Sequence, residues 1–206
     1  MNALRTSVEN VEIRVGPARS PYVCPWWLGS LMACPIRKLI ESPEKMLGSH
    51  ARPGMSVLDF GCAMGYFSLP LARMVGEDGR VVCVDLQERM IAGLKRRARK
   101  AGLLGRVETV LCGPEDLGLV GRDAAFDLIV AMYVIHEVPN PPRAFAQLAA
   151  ALKPGGRMVF AEPKGHVSEK KFSESLGHAA RSGLHMIDRL AFRRARAALL
   201  EKSIDA

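Results

Sequence analysis

The feature that most constrains this chain is an alternation, beginning at Val57, of short apolar β-branched runs with longer amphipathic stretches. Strands are expected at 56–60, 81–84, 107–111, 126–131 and 156–161, and helices at 66–75, 88–101, near 115–119, and at 141–151. Strands that alternate with helices in this way assemble into a parallel sheet covered on both faces. A helix from about Ser168 to Ser182 follows, and then Leu184 to Lys202, where the pattern A-R-A-A-L-L-E-K alone permits a helix. The expected class is a doubly wound α/β fold.

The first unit of the alternation, V-L-D-F-G-C-A-M-G-Y-F-S-L-P-L-A at 57–72, breaks from strand into a turn holding Gly61 and Gly65. Glycine accepts positive φ and leaves room for a ligand to approach the backbone, and the amides opening the next helix favour negative charge. A dinucleotide fingerprint would place further glycines at 63 and 66, where this chain has Ala63 and Tyr66. The turn is therefore a ligand turn without the usual pyrophosphate seat.

The order of residues from Asp59 to Gly65 resembles motif I of the class I S-adenosylmethionine-dependent methyltransferases, with alanine replacing the commoner middle glycine. V-V-C-V-D-L at 81–86, F-D-L-I-V-A-M at 126–132 and L-K-P-G-G-R-M-V-F at 152–160 match later stations of the same family, in order. Within that family the resemblance is greatest to small-molecule enzymes of the quinone-biosynthetic and arsenite-methylating type. It implies a mostly parallel seven-stranded sheet whose final strands, about 184–189 and 193–200, include an antiparallel last strand. It also divides the chain into an amino-terminal lid or extension, 1–50, and a cofactor-binding domain, 51–206.

The resemblance implies S-adenosylmethionine as cofactor and distributes its contacts over the strand ends. Asp59, Gly61, Cys62, Ala63, Gly65, Tyr66 and Phe67 would surround its methionine part, and Asp85 would accept hydrogen bonds from the ribose hydroxyls with Leu86 against adenine. Asp85 also suits the cap of the following helix. Relatives often carry an acid for the adenine amino group where this chain has Gly113, so backbone groups of Gly113, Pro114 and Glu115 would take that role, unless Glu115 and Asp116 cap the next helix. Ala131 and Met132 would border the methionine end.

Beyond the cofactor, His136 is the candidate catalytic residue, a proton acceptor near neutral pH or else a group that orients its loop. Tyr133, Glu162 and His166 share its rim, and Tyr22, Trp26 and Trp27 form an aromatic segment able to close over the site. Two histidines and a carboxylate can hold a divalent metal, but such groups more often serve as hydrogen-bonding residues, and no metal is assigned.

Composition narrows the partners. The net charge of +8 and the cluster Lys95, Arg96, Arg97, Arg99 and Lys100 raise nucleic acid, yet Met90, Ile91 and Leu94 on the same helix make the cluster its solvated face. Amino-directed nucleic-acid methyltransferases carry Asn or Asp, Pro-Pro and an aromatic directly after the fourth strand, where this chain reads Ala131-Met132-Tyr133; Asn140-Pro141-Pro142-Arg143 reads instead as a helix start. A small-molecule acceptor is expected, with a nucleic-acid acceptor or a non-catalytic cofactor-binding role as alternatives. Five cysteines without a C-x-x-C pair read as reduced thiols of a cytoplasmic protein, and the uncharged run Ser20 to Ile36, interrupted by prolines, is too short to span a membrane comfortably. Cys24, Cys34 and Cys62 would be the thiolates of a metalloid acceptor site, a minor variant of the small-molecule reading.

Overall fold

A computed structural model of the chain describes residues 41–204. Its elements in order are α1 (Pro43–Leu47), β1 (Ser56–Phe60), α2 (Ser68–Met74), β2 (Arg80–Asp85), α3 (Glu88–Lys100), β3 (Val107–Leu111), β4 (Phe126–Met132), α4 (Pro141–Ala151), β5 (Leu152–Pro163), α5 (Glu169–Arg181), β6 (Leu184–Leu190) and β7 (Ala195–Lys202). The sheet runs β3-β2-β1-β4-β5-β7-β6, and β7 is antiparallel to both its neighbours. The doubly wound, mostly parallel seven-stranded sheet with an antiparallel last strand is borne out.

Successive strand residues feed opposite faces of this sheet, as the period of two requires. Val57 joins one buried cluster with Leu71, Val75, Leu94 and Leu47, while Leu58 and Phe60 join another with Phe145, Leu148 and Phe172. On α3 the buried set is Met90, Ile91, Gly93, Leu94 and Ala98, and Lys95, Arg96, Arg99 and Lys100 lie exposed on the opposite side. Met46 and Leu47 of α1 are buried with the first cluster, so α1 packs onto the same core as β1 and α2.

Three local expectations need correction. No helix forms near 115–119: Gly118 and Gly121 take φ of 67° and 74°, Asp116 Oδ1 accepts from the Gly118 amide at 2.9 Å, and Gln147 of α4 caps the Leu117 amide at 3.0 Å. An Asx turn and a borrowed side chain replace the helical bonds, while Leu117 and Leu119 still reach the core. Glu115 and Asp116 therefore cap no helix. The second helix begins at Ser68 and not at residue 66, because Tyr66 and Phe67 complete the glycine turn. The fifth strand extends back to Leu152, taking up K-P-G-G through a register shift opposite Phe126 and Leu128. The two final strands that the resemblance implied do form: residues 195–202 are strand against their helical propensity, because pairing with β5 and β6 on both sides supplies their hydrogen bonds.

Candidate active site at the carboxyl edge of the sheet

The chain order reverses between β1 and β4, and the loops at the carboxyl ends of these strands frame a crevice of the kind that binds ligands in open α/β sheets. Its first wall is the glycine turn. The amides of Gly61 and Cys62 both donate to the Val84 carbonyl, at 2.9 and 3.0 Å, and Gly65 donates to Cys62 at 2.9 Å. Gly61 has φ 75°, and a Cβ there would lie 2.4 Å from a Val134 methyl, so only glycine lets β1 and the loop after β4 come this close. Ala63 holds φ 45° without being glycine, at a cost of about 1 kcal/mol.

That strain is held in place by Asp85. Its Oδ2 accepts from the Ala63 amide and its Oδ1 from the Gln87 amide, both at 2.8 Å, so one carboxylate ties the glycine turn to the start of α3. Burial raises its pKa, partly offset by these backbone bonds. An ionised carboxylate offers about four acceptor sites. Two are filled by these amides, which leaves capacity for the paired hydroxyls of a ribose. A buried acid beside a turn of positive-φ backbone is a donor and acceptor set that fits S-adenosylmethionine. Asp85 is not the cap of α3: the N-cap is Gln87, and Asp85 accepts from the amide of that residue, ahead of the helix.

Asp59 is placed differently. It is 1 % exposed and accepts from the Ser68 hydroxyl at 2.5 Å, which pins α2 to β1. Burial, with the Asp85 charge and against the Ser68 hydrogen bond, pushes its carboxyl up to about 7. Ala131 and Met132 are also buried, inside the ladder between β1 and β5. Cys62 is buried and its thiol is pushed well up, chiefly by burial, and Cys112 at the end of β3 is pushed up to about 12 for the same reason. Neither is a ready thiolate. Cys24 and Cys34 lie outside the described residues.

On the adenine side, the Gly113 amide donates to the Asp116 carbonyl at 2.7 Å and the Glu115 carbonyl accepts from Gln147 at 2.9 Å. Pro114 has no amide hydrogen. Two of the backbone groups expected to read adenine are thus engaged within the protein, and the Glu115 carboxylate pairs with Arg143 on the surface at 3.4 Å. Leu86, Gly113 and Pro114 remain partly exposed around the end of β2.

The second wall carries the proton-accepting candidates. Tyr133, at φ 64°, turns the chain after β4, and its ring lies 6.3 Å from Phe67. Phe67 in turn meets Tyr66 edge-on at 5.1 Å. The Tyr133 hydroxyl donates to the Glu41 carboxylate at 2.8 Å and the Tyr66 hydroxyl donates to the Glu41 carbonyl, so Glu41 joins the two walls. His136 Nδ1 lies 2.5 Å from Glu162 Oε2, and its backbone amide donates to Oε1 at 3.0 Å. Glu162, expected at the rim, is 1 % exposed beneath it. Burial pulls the imidazole pKa down, but the hydrogen bond and charge of Glu162, with the Glu137 charge, outweigh it and raise the value. His166 is exposed with its ring 6.2 Å from that of His136, and among the described residues no group of three potential metal ligands converges.

An open cleft of about 540 Å³ continues outward from Tyr133, bordered by Glu41, Lys164, Arg193 and Arg194. Sequence reasoning named none of these four. It also read Arg97 only as surface charge, whereas the guanidinium donates to the Met64 carbonyl at 2.5 Å and buttresses the glycine turn. Tyr22, Trp26 and Trp27 lie outside the described residues. Asn140 caps α4 by accepting from the Arg143 amide at 3.2 Å, with prolines in the first turn.

A family model for a methyltransferase domain matches residues 51–196. The chain is 32 % identical over 123 residues to the ubiquinone/menaquinone biosynthesis C-methyltransferase UbiE of Shewanella pealeana, covering 58 % of this chain and 48 % of that protein. It is 34 % identical over 114 residues to the same-named protein of Escherichia fergusonii, covering 55 % and 45 %. The chain thus spans about half the length of these curated relatives. Among solved structures, an S-adenosylmethionine-dependent methyltransferase from Aquifex aeolicus superposes with a TM-score of 0.77 at 23 % identity, over 87 % of this chain and 99 % of that one. The [4+2]-cyclase SpnF reaches 0.67 at 18 % identity over 81 % of each, a likeness of fold alone. On the match over residues 51–196, the chain belongs to the class I S-adenosylmethionine-dependent methyltransferases.

Proposed function

We propose that the chain transfers a methyl group from S-adenosylmethionine to a small-molecule acceptor. The observation that carries this reading is the junction of two walls: a glycine turn braced by Asp85 on one side, and an imidazole backed by a buried carboxylate on the other. When bound, the cofactor supplies a methyl group on a sulfonium, an electrophile that needs alignment more than activation. The turn from Gly61 to Gly65 holds the methionine end and Asp85 the ribose, and Phe67 and Tyr133 keep water from the reacting face.

Glu162 acts as a positioning residue. By accepting from Nδ1–H it fixes the neutral tautomer in which Nε2 carries the lone pair, so His136 can take the proton that an acceptor hydroxyl, amine or activated carbon loses on methylation. The small-molecule assignment draws support from the UbiE relatives, which are named for quinone biosynthesis, and from the Ala131-Met132-Tyr133 sequence after β4.

Calorimetry with S-adenosylhomocysteine tests the cofactor half of the proposal. Wild type should bind, and Asp85→Ala should weaken binding by about 2 kcal/mol, the worth of hydrogen bonds to a charged group. Unchanged affinity would remove Asp85 from the site. Binding without transfer of labelled methyl to any member of a broad acceptor panel would favour a cofactor-binding protein without catalysis.

A further inference from the structure

Because β7 runs against both β5 and β6, the turn joining β6 to β7 returns to the carboxyl edge of the sheet, beside the loop that follows β5. Residues 191–194 are thereby delivered to the outer border of the cleft that starts at Tyr133.

Three cations meet there. The Lys164 ammonium donates to the carbonyls of Phe192 and Arg193, each at 3.2 Å, and the Lys164 amide donates to the Arg194 carbonyl at 3.0 Å. These bonds clamp the two loops together, but carbonyls leave the lysine charge unneutralised. Arg193 and Arg194 are exposed and take part in no ion pair among the described residues. Neighbouring arginines behave otherwise: Arg189 and Arg196 both pair with Glu169, and Arg196 further donates to the Val167 carbonyl at 2.8 Å. Arg189 and Arg196 hold the fold, and Arg193 and Arg194 face the cleft. Glu41, the one carboxylate on its border among the described residues, accepts from the Tyr133 hydroxyl.

We propose that this cleft recognises an acid group, a carboxylate or a phosphate monoester, on the methyl acceptor. A guanidinium fork matches the paired oxygens of either anion, and two adjacent forks with a lysine confer a preference that a neutral acceptor cannot satisfy. The acid would sit at Arg193 and Arg194 while the rest of the molecule runs inward along Tyr133, whose ring adjoins Phe67 of the glycine turn. The inference rests on the small-molecule reading above and names the class of substrate for that site.

The test uses phenyl phosphate and benzoate as probes and benzamide as their neutral counterpart, titrated into the full chain with and without S-adenosylhomocysteine. Wild type should bind both anions at least about tenfold more tightly than benzamide, with an affinity that falls as salt is raised. The Arg193→Gln/Arg194→Gln double variant should lose about tenfold for the anions while keeping its affinity for S-adenosylhomocysteine, which also reports that it is folded. Equal binding of benzoate and benzamide by wild type, or undiminished anion binding by the double variant, would overturn the proposal. So would a short single-stranded RNA whose binding collapses in the double variant while the small anions bind unchanged, since that marks a polyanion surface. Failure to bind S-adenosylhomocysteine would count against the cofactor reading alone, because the anion titration is read independently of it.

Discussion

From Ser56 to Gln87 one wall of the crevice is built by a continuous strand-turn-helix-strand stretch, whereas the facing wall gathers Glu162 from the end of β5 and Tyr133, His136, Lys164 and Arg193 from three separate loops. Each wall buries a carboxylate at 1 % exposure, yet the two are used differently. Asp59 is matched to a neutral hydroxyl and braces helix to strand; Glu162 is matched to an imidazole that reaches the surface. The first wall is a matter of backbone shape, and the second of charge. Substitutions on the first should therefore be read as stability and cofactor affinity, and on the second as turnover and acceptor choice.

The largest effect that would break this contrast is at Gly61. An added Cβ must displace Val134 and accept φ 75°, so Gly61→Ala should destabilise the chain by about 4 kcal/mol, strain and overpacking together. Chemical denaturation measures it. A loss below about 1 kcal/mol would mean that the loop after β4 yields easily, and the two walls would not be rigidly set against each other.

Asp59 gives the next largest effect and a sign. Its carboxyl is raised from an ordinary 3.8 to about 7, so the folded state holds the proton more tightly than the unfolded chain does. The associated stability is complete below pH 4 and disappears as pH rises through 7, a loss of about 2.5 kcal/mol between pH 5 and pH 8. Asp59→Asn keeps an acceptor for Ser68 and should flatten most of that slope. If unfolding at the two pH values shows the same slope in both proteins, Asp59 is not the titrating brace of this wall.

The contrast also decides what could be read from the chain. The first wall was legible because its parts are close in sequence and fixed by residue type: Gly61, Gly65 and Asp85 stand at spacings that a strand, a tight turn and a second strand dictate. Even there, Ala63 shows that a side chain elsewhere can hold alanine in a glycine conformation, and the Asp85 carboxylate that does so lies one strand away. The role of Asp116 stays open in the sequence because caps and Asx turns use the same residues, and only the Gln147 side chain arriving from α4 distinguishes them. The second wall was harder. His136 and Glu162 were both singled out, but their pairing depends on β4 and β5 lying side by side, and Arg193 and Arg194 reach the cleft only because β7 reverses direction.

The Glu162 pairing is the place where this wall can be tested at the level of a single proton. In Glu162→Gln the side-chain amide donates where the carboxylate accepted, so the neutral imidazole turns Nδ1 into its acceptor and places the proton on Nε2, the nitrogen that must be bare to act as a base. Turnover should fall by about tenfold or more, with S-adenosylhomocysteine affinity preserved because the first wall is untouched. The surviving activity carries a second signature. Glu162 raises the His136 pKa, so its loss should move the acidic limb of the pH–rate profile to lower pH. A variant that loses turnover with its acidic limb in place would leave Glu162 as a loop anchor through the His136 amide, and the second wall would then be shaped by backbone in the same manner as the first.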